Sequence, residues 1–257
     1  IAQEVAPHRI RVNSVCPGAV RTPINMEAWG TPDAYRLRVA TEKATWDAIV
    51  DENRRGTQGR GNEDGILAQP EIIGLVNDAV GGRATVVCAA GSLPGDLLKL
   101  WRPEERKAYH LEYGYSCMGY EIAAGLGVQL AEPERHVVVI VGDGSYLMLN
   151  SEIVTAVAEG LPVTIVVLDN HGFQCILDLA RATGVRDFGN ELRFRDKGRN
   201  RLVGDYVPID FRAHAASMGA RAVEARTAGR RRRQPHFAFP GRRALFPRGL
   251  VGGGNFR

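Results

Sequence analysis

The feature that most constrains the fold is a series of short, largely apolar runs at residues 85–89, 136–141 and 162–168. Runs of this length, rich in β-branched residues, are typical of strands that are buried on both faces of a parallel sheet. Segments with helical character, at 118–131 and 150–159, alternate with these runs. The alternation predicts an α/β fold with a doubly wound parallel sheet that helices cover on both sides.

The composition of the 257 residues is that of a globular protein, with 44% hydrophobic and 24% charged residues. No apolar run approaches the ~20 residues that a membrane span needs, so we predict no membrane partner. The cysteines are scattered and form no CxxC pair, which favours reduced thiols in a cytoplasmic protein over a disulfide framework or a zinc site. The four are Cys16, Cys88, Cys117 and Cys175.

Charge is unevenly distributed along the chain. Residues 225–257 contain nine Arg and no Asp, Glu or Lys, and since the whole chain has a net charge of +4, the remaining residues carry −5. We divide the chain into a segment 1–35, a globular body 36–226, and an Arg-, Gly- and Pro-rich tail 227–257. The tail has no helical or strand period, which predicts a disordered or out-of-frame segment. Its Arg clusters and Phe residues leave nucleic-acid binding as the alternative, but we predict no nucleic-acid partner.

The first segment contains IRVNSVCPGAVRTPI, a β-like run that leads into a Pro-Gly turn. This stretch resembles the late part of a short-chain dehydrogenase, in which Thr22 would touch the amide of the nicotinamide. Neither a Gly-rich dinucleotide loop nor a Tyr-x-x-x-Lys pair accompanies it. We therefore interpret 1–35 as a non-functional remnant and keep a dehydrogenase fragment as an alternative.

The chemistry of the globular body centres on two strand ends. Gly142, Asp143 and Gly144 directly follow one apolar run, and Asn170 follows the next. Because the carboxyl ends of parallel strands meet at one edge of a sheet, we expect Asp143 and Asn170 to be neighbours. Carboxylate, amide and carbonyl oxygens suit Mg2+, and the glycines allow a diphosphate to approach the backbone. The spacing therefore predicts a Mg2+–diphosphate site; the alternative is a structural turn.

A GDG motif paired with a second strand that ends in Asn is identified as the signature of thiamine diphosphate enzymes, and the body resembles their diphosphate-binding domain. The resemblance implies thiamine diphosphate and Mg2+ as cofactors. It also implies Asp143 and Asn170 as side-chain ligands of the metal and Gly172 as a backbone-carbonyl ligand. The family often has Asn-Asn where this chain has Asp169-Asn170, and the second position is the ligand.

Two further segments fit the same resemblance, SCMGYEIAAGLG and AAGSLPGDLLKLW. The first would hold the aminopyrimidine ring and wedge Met118 under the cofactor, although Met118 by itself would be interpreted as a core residue. The second would lie against the diphosphate, the alternative being an ordinary turn between a strand and a helix. The cofactor-binding residues implied are Gly91, Ser92, Ser116, Met118, Gly142, Gly144 and Ser145.

Longer stretches, such as GDGSYLMLNSEIVTAVAEGL and RDKGRNRLVGDYVPIDFRAHAASMGA, make the resemblance narrower. They resemble the trihydroxycyclohexane-1,2-dione hydrolases of myo-inositol breakdown, over about 36–226. Those enzymes add water across a C–C bond of a cyclic dione and open the ring to 5-deoxyglucuronate. The resemblance implies a small cyclic dione as substrate and a homo-oligomer, dimer or tetramer. A fragment of another thiamine diphosphate enzyme, such as one like acetolactate synthase, is the alternative.

Activation of the cofactor in this superfamily needs a glutamate from a separate, earlier domain, which this sequence does not show. Glu112 and Glu121 flank the predicted pyrimidine segment, but the family approaches the cofactor from the other side. His110 and His171 are candidate acid–base groups on the substrate side, the alternative for each being a satisfied polar residue near a loop. We therefore assign no catalytic residue and expect a truncated or chimeric chain that is catalytically silent by itself.

Overall fold

The computed structural model describes residues 30–56, 66–112, 114–185 and 188–224, and the backbone of three short strands in 236–253. The dehydrogenase-like motif with Thr22 lies outside the described residues. The chain divides into two compact units, 1–51 and 52–257. A helix, α1 (Pro32–Arg55), runs through the predicted boundary between residues 35 and 36, and the three predicted segments stay a prediction.

The second unit contains a parallel five-stranded sheet in the order β2-β1-β3-β4-β7. Every neighbouring pair in it is parallel. This topology confirms the predicted α/β fold. The strands of this sheet are β1 (Thr85–Cys88), β2 (Tyr109–Leu111), β3 (Val137–Gly142), β4 (Val163–Asp169) and β7 (Gly252–Gly253).

The helices that connect and cover the sheet follow the predicted alternation, with bounds that differ by a few residues from the sequence-based ones. The helix that begins at Asp143 follows directly on β3 and carries the predicted site residues Gly144 and Ser145 in its first turn. The helix that begins at Leu93 follows the loop after β1, and the predicted site residue Ser92 is its N-cap. The helices are α2 (Gln69–Val80), α3 (Leu93–Leu100), α4 (Tyr120–Ala131), α5 (Asp143–Met148), α6 (Glu152–Ala158), α7 (Gln174–Ala182) and α8 (Phe211–Ser217).

The centre of the core is β3, whose residues from Val137 to Ile140 have no exposed surface. Strands β1 and β4 flank it, and helix α4 packs across it so closely that a Cβ on Gly125 would lie 2.3 Å from Val139 Cγ2. A strand enclosed on both faces and both edges must be apolar throughout, which is the pattern that the sequence carries. No described helix has both the length and the apolar character needed to cross a membrane.

The tail segment contributes backbone strands although its sequence has no strand period. Strands β5 (His236–Phe239) and β6 (Arg242–Leu245) form an antiparallel pair, and β7 adds to the edge of β4. Backbone pairing needs no alternation of apolar side chains, so hydropathy patterning gives no signal for strands of this kind.

Candidate cofactor site

Asp143 is the first residue of α5 and lies at the carboxyl end of β3, where its side chain is fully buried. Its Oδ1 accepts a hydrogen bond of 2.7 Å from the Gly144 N–H, and its Oδ2 accepts one of 2.7 Å from the Gly172 N–H. The two bonds fix the carboxylate between the ends of β3 and β4. A buried carboxylate that accepts from backbone N–H groups is a natural ligand for a cation.

Asn170 and Gly172 bring two more polar groups to the same point. The terminal amide atom of Asn170 that faces Asp143 lies 3.2 Å from its Oδ1 and 2.8 Å from the Gly172 carbonyl oxygen. An amide nitrogen in this position would donate to both oxygens. An amide oxygen would instead complete a cluster of three oxygens, an arrangement that requires a cation. The structure thus brings together all three residues for which a metal-binding role was predicted.

The electrostatics of Asp143 point the same way. Burial, followed by the nearby negative charge of Asp169, raises the pKa of Asp143 to about 7, although the N–H groups of Gly144 and Gly172 oppose the shift. Asp169 is held in place because its Oδ1 accepts from the His171 N–H at 3.1 Å. Two neighbouring carboxylates with little solvent repel each other, and a divalent cation between them relieves that repulsion. Among the described residues, no cluster of three His, Cys, Asp or Glu side chains offers an alternative metal site.

Close packing explains two of the glycines at this site, Gly144 and Gly172. A Cβ on Gly144 would lie 2.6 Å from the Phe173 ring. Gly172 has φ +138°, and a Cβ there would lie 2.4 Å from the Asn190 carbonyl oxygen. Both positions therefore need glycine for space, and Gly172 needs it for its backbone conformation as well.

The loops predicted to hold the rest of the cofactor lie at the neighbouring strand ends. Gly91, with φ +87°, and Ser92 are exposed in the turn between β1 and α3. Ser116 is exposed with φ +51°, and Met118 is half-buried just before α4. Ser92 Oγ also lies 3.3 Å from the side chain of Gln69.

Ser145 and Glu121 join these loops to the carboxyl end of β3. Glu121 is buried, and its two carboxylate oxygens share the one hydroxyl proton of Ser145, whose Oγ lies 2.9 Å from Oε1 and 2.8 Å from Oε2. It also accepts from the Gly119 N–H at 3.0 Å and the Ala90 N–H at 3.3 Å. Sequence reasoning considered Glu121 only as a possible activating group, because an acid in the first turn of an apolar helix gives no sign of which loops it reaches.

The other acids and histidines near the site already have partners. Glu112 accepts from the Tyr115 N–H at 2.9 Å and the Cys117 N–H at 2.8 Å, which lower its pKa. His110 lies 2.8 Å from the Tyr120 hydroxyl. His171 stacks on the Tyr206 ring at 4.1 Å between ring centres. Glu112 and Glu121 therefore both accept hydrogen bonds from backbone N–H groups of the loops that precede α3 and α4.

The chain is an α/β domain whose parallel sheet brings an Asp, an Asn and a backbone carbonyl together at adjoining strand ends, and such oxygen atoms suit a cation that carries a diphosphate. The sequence matches the family described as thiamine pyrophosphate enzyme, C-terminal TPP binding domain, over residues 89–238. This chain belongs to that family, in which thiamine diphosphate is the cofactor. The recognition of a thiamine diphosphate-binding domain from the two strand ends is thereby confirmed.

Curated relatives carry a more specific name, 3D-(3,5/4)-trihydroxycyclohexane-1,2-dione hydrolase. The one from Clostridium botulinum Eklund 17B is 46% identical over 163 residues, which are 63% of this chain and 25% of the relative. The one from Clostridium perfringens strain 13 is 48% identical over the same length, and the one from Bacillus thuringiensis is 46% identical over 155 residues. These matches confirm the narrower resemblance. The chain spans about a quarter of the length of these relatives.

Proposed function

We propose that this domain binds thiamine diphosphate through a Mg2+ ion held by the Asp143 carboxylate, the Asn170 side-chain amide oxygen and the Gly172 carbonyl oxygen. The observation that carries the proposal lies at the ends of β3 and β4, where the terminal amide atom of Asn170 is 3.2 Å from Asp143 Oδ1 and 2.8 Å from the Gly172 carbonyl oxygen. In the metal-free chain the Asn170 amide nitrogen donates to both neighbours. To hold Mg2+, the Asn170 amide would present its oxygen instead, because the cation needs acceptors.

The remaining cofactor contacts in this proposal come from three loops. Gly142, Gly144 and Ser145 are at the start of α5, and Gly91 and Ser92 are at the start of α3, where backbone N–H groups suit a diphosphate. Ser116 and Met118 lie in the loop before α4, where their backbone would meet the aminopyrimidine. The space beside Gly91 is open, since no atom lies within 4 Å of the position that a Cβ would take there, and this leaves room for a bound group.

We extend the proposal to the reaction class named in the relatives. When bound, thiamine diphosphate supplies an electron sink for cleavage of a C–C bond next to a carbonyl. The domain would serve the hydrolytic opening of a cyclic 1,2-dione, in a cytoplasmic homo-oligomer without nucleic-acid or membrane partners. This chain's own residues bind and orient the metal and the diphosphate. A related lyase or synthase of the acetolactate synthase type is the second candidate, but the relatives' names favour the hydrolase.

The 257 residues by themselves are proposed to bind the cofactor without turning over substrate. Activation of the thiazolium ring needs a free carboxylate beside the pyrimidine, and Glu112 and Glu121 both use theirs to accept from loop N–H groups. Ring opening of trihydroxycyclohexane-1,2-dione by the pure chain, supplied with thiamine diphosphate and Mg2+, would contradict this part of the proposal.

The decisive experiment is calorimetric titration of thiamine diphosphate into the full chain, first with Mg2+ and then with EDTA. We expect binding in Mg2+ that EDTA removes and that Asp143→Ala abolishes. Asp210→Ala is the matched control, because Asp210 caps α8 by accepting from the Ala213 N–H and belongs to no proposed ligand set. Binding that survives EDTA or Asp143→Ala would contradict the proposed metal site. The absence of any binding by the wild-type chain would contradict the proposed function itself.

A further inference from the structure

Glu121 is a buried acid with an unusual set of partners. It lies in the first turn of α4 with 1% of its surface exposed. Its Oε1 accepts from the Ala90 N–H and from Ser145 Oγ, and its Oε2 accepts from the Gly119 N–H and from the same hydroxyl. Ser145 Oγ in turn accepts from the Gly119 N–H at 2.7 Å, which closes the network.

The three donors belong to three separate segments of the chain. Ala90 precedes Gly91 in the turn after β1, Gly119 follows Met118, and Ser145 lies two residues after Asp143. One carboxylate thus connects the ends of the loops that would contact the diphosphate, the aminopyrimidine and the metal. Ala90 and Ser145 are 31 and 24 residues from Glu121, so no local motif accounts for these two contacts, whereas Gly119 is 2 residues away at the N-cap of α4.

Burial makes this connection energetically demanding. A carboxylate withdrawn from water is stable only if donors replace its hydration, and hydrogen bonds to an ionised oxygen are stronger than neutral ones. No ion pair with a basic side chain involves Glu121 among the described residues, so two N–H groups and one hydroxyl replace its hydration. If any of the three segments moves, the carboxylate loses a donor without gaining water. The charge therefore favours one relative position of all three loops.

We propose that Glu121 is a positioning residue that sets the spacing between the diphosphate, pyrimidine and metal loops before the cofactor binds. The inference rests on the proposed function, because only that function makes the three loops parts of one cofactor site. Glu121 itself does not touch the cofactor. It acts through Ala90, Gly119 and Ser145, and its contribution is to reduce the ordering that binding would otherwise require.

The most informative variant is Glu121→Gln, which keeps the shape and replaces one acceptor oxygen by an NH2 group. That group would face an N–H of the network, donor against donor, and one loop would lose its bond. Gln129→Met is the matched control. Gln129 is on the same helix, equally buried at 1%, and its side-chain NH2 donates to the carbonyls of Glu132, Pro133 and Arg135 at the far end of α4.

Two measurements separate positioning from general stability. We expect Glu121→Gln to weaken Mg2+-dependent thiamine diphosphate binding by about 10-fold or more, whereas Gln129→Met lowers the melting temperature and changes the affinity less than about 2-fold. Amide hydrogen exchange of the cofactor-free chain should accelerate at Ala90 and Gly119 in Glu121→Gln and not in Gln129→Met. Wild-type affinity in Glu121→Gln, or equal affinity losses in both variants, would overturn the inference.

The two readouts also keep the inference separate from the proposed function. If the wild-type chain does not bind thiamine diphosphate, the proposed function fails and the cofactor role of Glu121 fails with it. Hydrogen exchange then still decides whether Glu121 joins the loops, and unchanged exchange at Ala90 and Gly119 refutes the connection. If Glu121→Gln does not fold, Ser145→Ala replaces it, with faster exchange at Gly119 as the expected result and unchanged exchange as the refuting one.

Discussion

Asp143 and Asn170 meet across the ends of two adjacent parallel strands, with the terminal amide atom of Asn170 3.2 Å from Asp143 Oδ1. The register of β3 against β4, which pairs Gly142 with Leu168, produces this meeting. Asp169 is then the one residue between Leu168, the last residue of β4 that pairs with β3, and Asn170. A second carboxylate therefore lies beside the first, and the stability of the metal-free chain should depend on it.

We predict that Asp169→Asn stabilises the metal-free chain. The substitution removes the charge that helps to raise the pKa of Asp143 to about 7, and it keeps an oxygen that accepts from the His171 N–H. Loss of a repulsion between partly buried like charges should raise the free energy of unfolding by about 1 kcal/mol. Thermal unfolding in EDTA measures this. A lower melting temperature than wild type would show that the repulsion is not the dominant effect of Asp169.

The packing of α4 on β3 gives a second prediction, with two glycines of one helix as a matched pair. Gly125→Ala should destabilise the chain by about 1–3 kcal/mol, because the new Cβ would lie 2.3 Å from Val139 Cγ2 and force the helix away from the strand. Gly127→Ala has no atom within 4 Å of its Cβ position and should be neutral or stabilising by up to about 1 kcal/mol. Urea unfolding of both variants tests this, and equal effects would contradict it.

Sequence reasoning reached the fold and singled out the residues that meet at the strand ends because both rest on local signals. Largely apolar runs such as the one at 136–141 indicate a buried parallel strand, and Asp143 and Asn170 stand just after the ends of such runs. The connection through Glu121 had no such signal, since its partners depend on how three loops are arranged in space. The same holds for the stacking of His171 on Tyr206, whose residues are far apart in sequence.

The third prediction concerns Gly172, a proposed metal ligand with a constrained backbone. Gly172→Ala should cost about 2–4 kcal/mol of stability, because its φ of +138° disfavours a side chain and its Cβ would lie 2.4 Å from the Asn190 carbonyl oxygen. Gly184→Ala is the control, with φ +73° and no atom within 4 Å, and should cost only about 1 kcal/mol. Chemical denaturation with and without Mg2+ compares the two variants. We expect Mg2+ to raise the free energy of unfolding of the control, whose proposed metal site is intact, and not that of Gly172→Ala. A cost for Gly172→Ala no larger than that of the control would contradict the packing argument.

His136 makes the chain sensitive to acid in a defined pH range. Burial lowers the pKa of His136 from 6.5 to about 4, so the folded chain keeps the ring neutral where the unfolded chain protonates it. Between about pH 6.5 and 4 the unfolded state therefore binds more protons, and the free energy of unfolding falls as the pH falls.

The His136 ring also lies 3.2 Å from Thr164 Oγ1, a contact that joins the start of β3 to β4 without adding a charge. We expect His136→Gln, which keeps a polar partner for Thr164 but cannot titrate, to reduce the loss of unfolding free energy between pH 7 and 5 by about 1–2 kcal/mol. Urea denaturation of both proteins at the two pH values measures the difference, and an equal loss in wild type and variant would show that His136 is not responsible for it.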